Sequence, residues 1–131
     1  MTAPSTDERT LYQRLGGYDA VAAATDDLLG RLFADPTLGV YWKGKSEDGK
    51  KRDIQLIVNY MVAAAGGPLY YTGRDMTTSH RGLGITEAEW EIFMGHARAT
   101  LGRFEVAPRE SEEVLAFFTS LKGDVVERGV F

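Results

Sequence analysis

Ile54, Ile57, Val58, Met61, Val62 and Ala65 recur at i, i+3, i+4, i+7, i+8 and i+11. An extended strand scatters such a set over both faces, whereas a helix of 3.6 residues per turn gathers it into one stripe. The same period returns elsewhere. Val21, Ala24, Leu28, Leu29, Leu32 and Phe33 mark a helix from about Asp19, the expected N-cap, to Ala34, where Asp35-Pro36 ends it. Trp90, Phe93, Met94, Ala97, Leu101 and Phe104 mark another, opened by Thr86 and Glu89 at capping-box spacing. Val114, Leu115, Phe118, Leu121, Lys122 and Val125 mark the last, with Pro108 near its start. A short piece over Leu11–Leu15 is closed by Gly16-Gly17. No segment alternates with period two. The expected fold class is all-α, with about four substantial helices in one domain.

Two stretches do not fit a plain bundle. Residues 43–50 are charged and read as a loop after the apolar turn Leu38-Gly39-Val40-Tyr41-Trp42. Residues 66–85 begin with Gly66-Gly67-Pro68, end with Gly82 and Gly84, and hold one helical turn, around Thr77–Arg81. A small helical domain seldom carries so long an irregular segment unless something packs against it. Residues 1–9 read as a disordered polar tail and 10–131 as the folded domain.

The chain has no cysteine, which excludes disulfides, thiolate metal sites and cysteine nucleophiles. Its net charge of −4 is spread over both signs, and Lys50-Lys51-Arg52 is its one basic cluster, so no nucleic-acid partner is expected. No apolar run approaches the length of a membrane span, and Met1–Arg9 lacks the apolar core of a secretory signal. The expected location is the cytoplasm. No phosphate-binding glycine loop and no nucleophile elbow occur. The acidic runs Asp26-Asp27 and Glu110–Glu113 read as solvated helix faces.

Two histidines remain. His96 falls off the apolar stripe of its helix and reads as a flanking residue. His80 comes after the irregular segment, between Met76 and the pair Leu83 and Ile85. Two distant histidines cannot build a zinc centre. A heme asks less of a protein: one axial imidazole and an apolar slot.

Three motifs then stand in order: Leu11-Tyr12-Gln13-Arg14-Leu15-Gly16-Gly17; Gly66-Gly67-Pro68 with Tyr71-Thr72-Gly73-Arg74-Asp75-Met76 after it; and His80-Arg81-Gly82-Leu83-Gly84-Ile85-Thr86. With these the chain resembles the truncated hemoglobins of the first group, over about residues 10–127. The resemblance implies a two-over-two helical sandwich around heme b, with His80 as the iron ligand. It implies a hydrogen bond from the other ring nitrogen of His80 to a carbonyl one turn earlier, near Met76. Met76, Tyr71, Ile85 and Phe93 would pack on or near the heme, and Arg74 with Lys50 or Lys51 would pair with its propionates.

The opposite, distal side departs from the family. Where the family carries a Phe-Tyr pair, this chain has Leu28 and Leu29. Where it often carries glutamine, the aligned residues are Asp53 and Ile57, with Met61 further along the same helix. Trp42, beside Tyr41, takes the place of a phenylalanine at the heme edge. A hydroxyl donor to bound dioxygen is worth roughly 1–3 kcal/mol, hence about 5- to 150-fold in affinity. The expected pocket is therefore unusually apolar, with Tyr60 or Trp42 as the candidate donor.

These expectations converge on reversible binding of dioxygen or another diatomic gas, carbon monoxide or nitric oxide. Nitric oxide dioxygenation or peroxidase turnover with a reductase, gas sensing, and a helical interaction domain that has lost heme are the alternatives. The chain would act as a monomer or weak homo-oligomer.

Overall fold

In a computed structural model the chain is described over residues 9–69, 71 and 73–127. Of the expected tail, all but Arg9 lies outside the described residues. Six α-helices and no strand occur among the described residues.

The first, α1 (Leu11–Leu15), opens with a capping box. The Thr10 hydroxyl accepts from the Gln13 N–H at 3.1 Å, and the Gln13 amide oxygen accepts from the Thr10 N–H at 3.0 Å. Gly16, at φ 113°, closes it in a left-handed conformation that a side chain would oppose. The second, α2 (Tyr18–Ala34), starts directly from Gly17 and has no side-chain cap. Asp19 is thus not the N-cap. It lies in the first turn, where its charge still suits the helix dipole.

Asp35 shapes the next corner. Its Oδ1 accepts from the N–H groups of Thr37 and Leu38 at 2.8 and 2.9 Å, and a single 3₁₀ turn comes next, over Gly39–Trp42. Helix α3 (Glu47–Ala64) begins inside the stretch expected to be a loop. The Ser46 hydroxyl caps it by accepting from the Gly49 N–H, and Glu47 and Asp48 occupy the first turn. Those charges mark a helix start rather than a solvated loop. Three more helices complete the chain: α4 (Met76–His80), α5 (Glu87–Arg103) and α6 (Pro108–Val125). The expected Thr86–Glu89 capping box is present in both directions.

Helix α2 packs on α3, and α5 packs on α6. The two pairs meet where α2 crosses α5, which makes the two-over-two sandwich. The core at that crossing holds Leu28, Leu29, Leu32, Leu38, Trp90, Met94, Ala97 and Phe118. A smaller cluster of Val21, Val58 and Val62 joins α2 to α3 and receives Tyr12 and Leu15 from α1.

Charged clasps lock the crossings. Asp27 on α2 accepts from Arg31 and from the Thr100 hydroxyl, both at 2.8 Å, and pairs with Arg103. Arg14 reaches from α1 to Glu110 and Glu113 of α6. His96 Nε2 lies 2.7 Å from Asp35 Oδ2, tying α5 to the end of α2. His96 is therefore a structural partner, as its place off the apolar stripe suggests.

Candidate functional site

Helix α4 is one turn long and buries none of its residues. A helix this short does not stand alone in water. Its first turn is held by Asp75, whose carboxylate accepts from the Thr78 N–H at 2.7 Å. The Thr78 side chain first, and then this N–H, hold the Asp75 carboxyl below its usual range. His80 is the last helical residue and is half-buried.

The His80 ring is oriented by one contact. Nδ1 lies 2.9 Å from the carbonyl oxygen of Met76. A carbonyl can only accept, so Nδ1 carries a proton, and in the neutral ring the lone pair is on Nε2. The residue and the carbonyl are the pair that the resemblance to the truncated hemoglobins implied.

After His80 the chain turns through Gly82 and Gly84, at φ 85° and 69°. Their N–H groups donate to the two carboxylate oxygens of Glu127, at 3.0 and 2.8 Å. The Glu127 N–H donates to the Ile85 carbonyl at 2.9 Å. Sequence reasoning missed Glu127. Its partners lie 43 and 45 residues away, and no local pattern announces such a contact.

Half-buried apolar side chains are packed against the core cluster. Phe33, Trp42, Ile54, Ile57 and Met61 come from the α2–α3 side. Ile85, Phe93, Phe117 and Leu121 come from the α5–α6 side. All pack on the core yet keep part of their surface uncovered. Among the described residues no group of three His, Cys, Asp or Glu side chains could hold a metal ion. One oriented imidazole and a set of large, partly uncovered apolar side chains are the groups that a heme requires. The residues present fit that group.

The remaining expected site residues divide between core and surface. Leu29 is 2% exposed and belongs to the core, with Leu28 beside it. Ile57 is half-buried on the same cluster. Asp53 is paired with Lys45, Nζ to Oδ2 at 2.7 Å. A carboxylate so engaged accepts and cannot donate, so it does not replace a glutamine amide. Trp42 packs edge-on against Phe33, with ring centroids 5.0 Å apart. The Tyr41 hydroxyl donates to Glu89 at 2.9 Å, which pins the 3₁₀ turn to α5.

Tyr60 stands apart from Leu29. Its ring meets Tyr71 edge-on at 5.0 Å and lies 6.0 Å from Phe117. Burial, with Tyr71 and Asp124 adding to it, raises the Tyr60 hydroxyl above its usual range. Tyr60, Tyr71, Met76, Leu121 and Asp124 line a cavity of about 420 Å³ at the start of α4. The Tyr71 hydroxyl donates to the Arg74 carbonyl at 2.7 Å. The Arg74 side chain is exposed, as is Lys51. Lys50 lies 3.7 Å from Glu47 and sits over the Phe33 ring at 5.5 Å.

A second cavity, about 230 Å³, is almost wholly apolar. Leu28, Met61, Ala97, Leu101, Phe117 and Phe118 are among the side chains that wall it. Its two hydroxyls are both engaged, Thr25 with the Val21 carbonyl and Thr100 with Asp27. His80 lines neither cavity.

The sequence pattern of the bacterial-like globin family matches residues 10–127. The chain is 30% identical over 119 residues to the group 1 truncated hemoglobin LI410 of Chlamydomonas moewusii, covering 89% of this chain and 68% of that protein. It is 28% identical over 116 residues to the group 1 truncated hemoglobin GlbN of Mycolicibacterium paratuberculosis, covering 88% and 83%. The truncated hemoglobin of Tetrahymena pyriformis in its Fe(III) form shares the fold, with a TM-score of 0.83 at 22% identity over 92% of this chain and 100% of that one. The 2/2 hemoglobin of Synechococcus sp. PCC 7002, solved in the cyanomet state with covalently attached heme, gives a TM-score of 0.81 at 25% identity, again over 92% and 100%.

Proposed function

The chain belongs to the bacterial-like globins as a group 1 truncated hemoglobin, and on that premise we propose that it holds heme b on His80 and binds dioxygen, carbon monoxide or nitric oxide reversibly. The observation that carries this reading is the His80 ring, with Nδ1–H held by the Met76 carbonyl and Nε2 free to ligate. Heme, when bound, would be held by His80 and would supply an iron able to take a diatomic ligand. Every other part is the work of the chain. The Met76 carbonyl holds the Nδ1–H and fixes the rotation of the ring about the Cβ–Cγ bond. Met76, Ile85, Phe93, Met61 and Ile57 exclude water from the apolar faces.

The distal wall sets the selectivity. Leu29 and Ile57 offer no hydrogen bond, so a ligand that develops negative charge gains nothing from them. Carbon monoxide, which develops little charge, is indifferent to that loss. Trp42 is the distal donor in this proposal, and Tyr60, which lines the cavity at the start of α4, is left out of that role. Arg74 and Lys51, both exposed, are the cations that would meet propionates. A cytoplasmic location and electron supply from a separate reductase belong to the same proposal.

The test is spectroscopic. Protein expressed with heme supplied is studied in ferric, ferrous and carbon-monoxide-bound forms, beside His80→Ala. A five-coordinate ferrous spectrum that converts on carbon monoxide, and is lost or weakened in the variant, is the expected result. Absence of stoichiometric heme uptake by the unaltered chain would sink the reading.

A further inference from the structure

We propose that Glu127 is a positioning residue for the heme-side imidazole, acting through the Gly82–Gly84 turn to fix His80. The inference rests on the reading of His80 as the iron ligand.

The Met76 carbonyl orients the ring relative to α4, but α4 must itself be held to the rest of the fold. The helix has five residues and no buried side chain. Its N-terminal end is tied down by Asp75, but His80 lies at the other end. Beyond His80 the chain enters a turn with two glycines at positive φ. That conformation aims the Gly82 and Gly84 N–H groups at one point, as successive amides do in an anion-binding nest. The Glu127 carboxylate occupies that point and takes one N–H on each oxygen. The return bond, Glu127 N–H to the Ile85 carbonyl, closes the contact on itself.

Glu127 is in turn fixed to the core. It lies two residues past the end of α6, and the last helical residue, Val125, is 7% exposed in the main cluster. The route of restraint therefore runs from the core through α6 to Glu127, then through two amides to the turn after His80. A carboxylate is the group for this task, because it alone among side chains offers two acceptor oxygens and no donor. Glutamine at the same place would meet one N–H with its own NH₂ group. Aspartate would keep both acceptors on a shorter arm.

The experiment compares the heme-loaded protein with Glu127→Ala, Glu127→Gln and Glu127→Asp. Glu127 is exposed, so the variants are expected to fold, and far-ultraviolet circular dichroism checks this. Three quantities are read: amide exchange at Gly82 and Gly84, the iron–histidine stretching band of the ferrous form, and the rate of heme loss to an acceptor apoprotein. In Glu127→Ala both amides exchange faster, the band shifts or broadens, and heme loss accelerates roughly 10- to 100-fold, the range for partners that orient a metal ligand. Glu127→Gln falls between, and Glu127→Asp recovers most of the band position.

Faster amide exchange with an unchanged band and unchanged heme loss would overturn the proposal and leave Glu127 as a mere tether. Unchanged exchange would overturn it as well. Failure of the underlying reading looks different: the unaltered protein would lack the iron–histidine band, and His80→Ala would keep its heme.

Discussion

Replacing Asp27 with asparagine tests whether charge, rather than shape, holds the two helix pairs together. Asp27 sits on α2, with its side chain 9% exposed, and accepts from Arg31, Thr100 and Arg103. These bonds, that of Arg31 first, carry its carboxyl from the ordinary 3.8 down to about 2. At about 1.4 kcal/mol per tenfold change in proton affinity, the whole displacement is worth no more than about 2.5 kcal/mol. Solvent screens part of it, because Arg103 is 64% exposed and Arg31 33%. Halving for that leaves about 1 kcal/mol. The sign comes from the depressed value: the contribution is complete above the unfolded carboxyl's range near pH 4 and disappears as pH falls through 2. Urea unfolding at pH 7 is expected to place Asp27→Asn about 1 kcal/mol below the unaltered chain. The gap should close between pH 4 and pH 2, and shrink in about 1 M salt. Both chains share each buffer, so any common loss at low pH cancels in the difference. Equal stabilities at pH 7 would refute the reasoning. So would a gap that persists unchanged to pH 2, since it would then come from amide geometry and not from charge.

Other changes have equally definite outcomes. Gly67→Ala is expected to cost about 1–3 kcal/mol in denaturant unfolding, because its Cβ would stand 2.6 Å from Val62 Cγ1 and 2.8 Å from the Tyr12 ring. Leu29→Tyr should slow dioxygen release roughly 5- to 150-fold in stopped-flow measurements by restoring a hydroxyl donor. Because Leu29 is 2% exposed, the added ring should also lower stability by about 1–3 kcal/mol. A release rate that does not move would show that this position does not face the ligand.

How far the sequence reveals this protein depends on how local each signal is. The stripe from Ile54 to Met61 needs only the helical period, and it lies in α3 as expected. The bond between His80 and the Met76 carbonyl is also local, since four residues in one turn determine it. The start of α3 is a subtler case. Ser46, Glu47 and Asp48 carry a cap and a favourable first turn, but their charges resemble those of a loop. Tyr60 marks the limit. One helical turn separates it from Ile57, yet its neighbours Tyr71 and Phe117 come from distant segments and draw the ring toward α4. Glu127 lies beyond that limit, because only the packing of α6 brings it to the turn after His80.

The distribution of charge obeys the same division. Carboxyls held below their ordinary range commonly mark functional sites. Here Asp27 is lowered by Arg31 on its own helix and then by Thr100 and Arg103 on α5, while Asp35 and Glu113 are lowered by His96 and Arg14 of other helices. Asp75 is lowered by Thr78 in the cap it provides to α4. All four serve the frame, and Ile57, Met61, Ile85 and Phe93, the side chains proposed to meet heme, carry no charge. A site for a neutral diatomic gas and an apolar macrocycle gains nothing from a nearby carboxylate, which would draw water in and compete for the iron. The helix crossings, by contrast, gain directed contacts from ion pairs that apolar packing alone does not specify. A charge introduced at Ile57 should therefore disturb ligand binding while leaving the clasps intact. A charge removed at Asp27 should loosen the frame while leaving the His80 band in place, and a double change should show the two effects adding, as independent sites do.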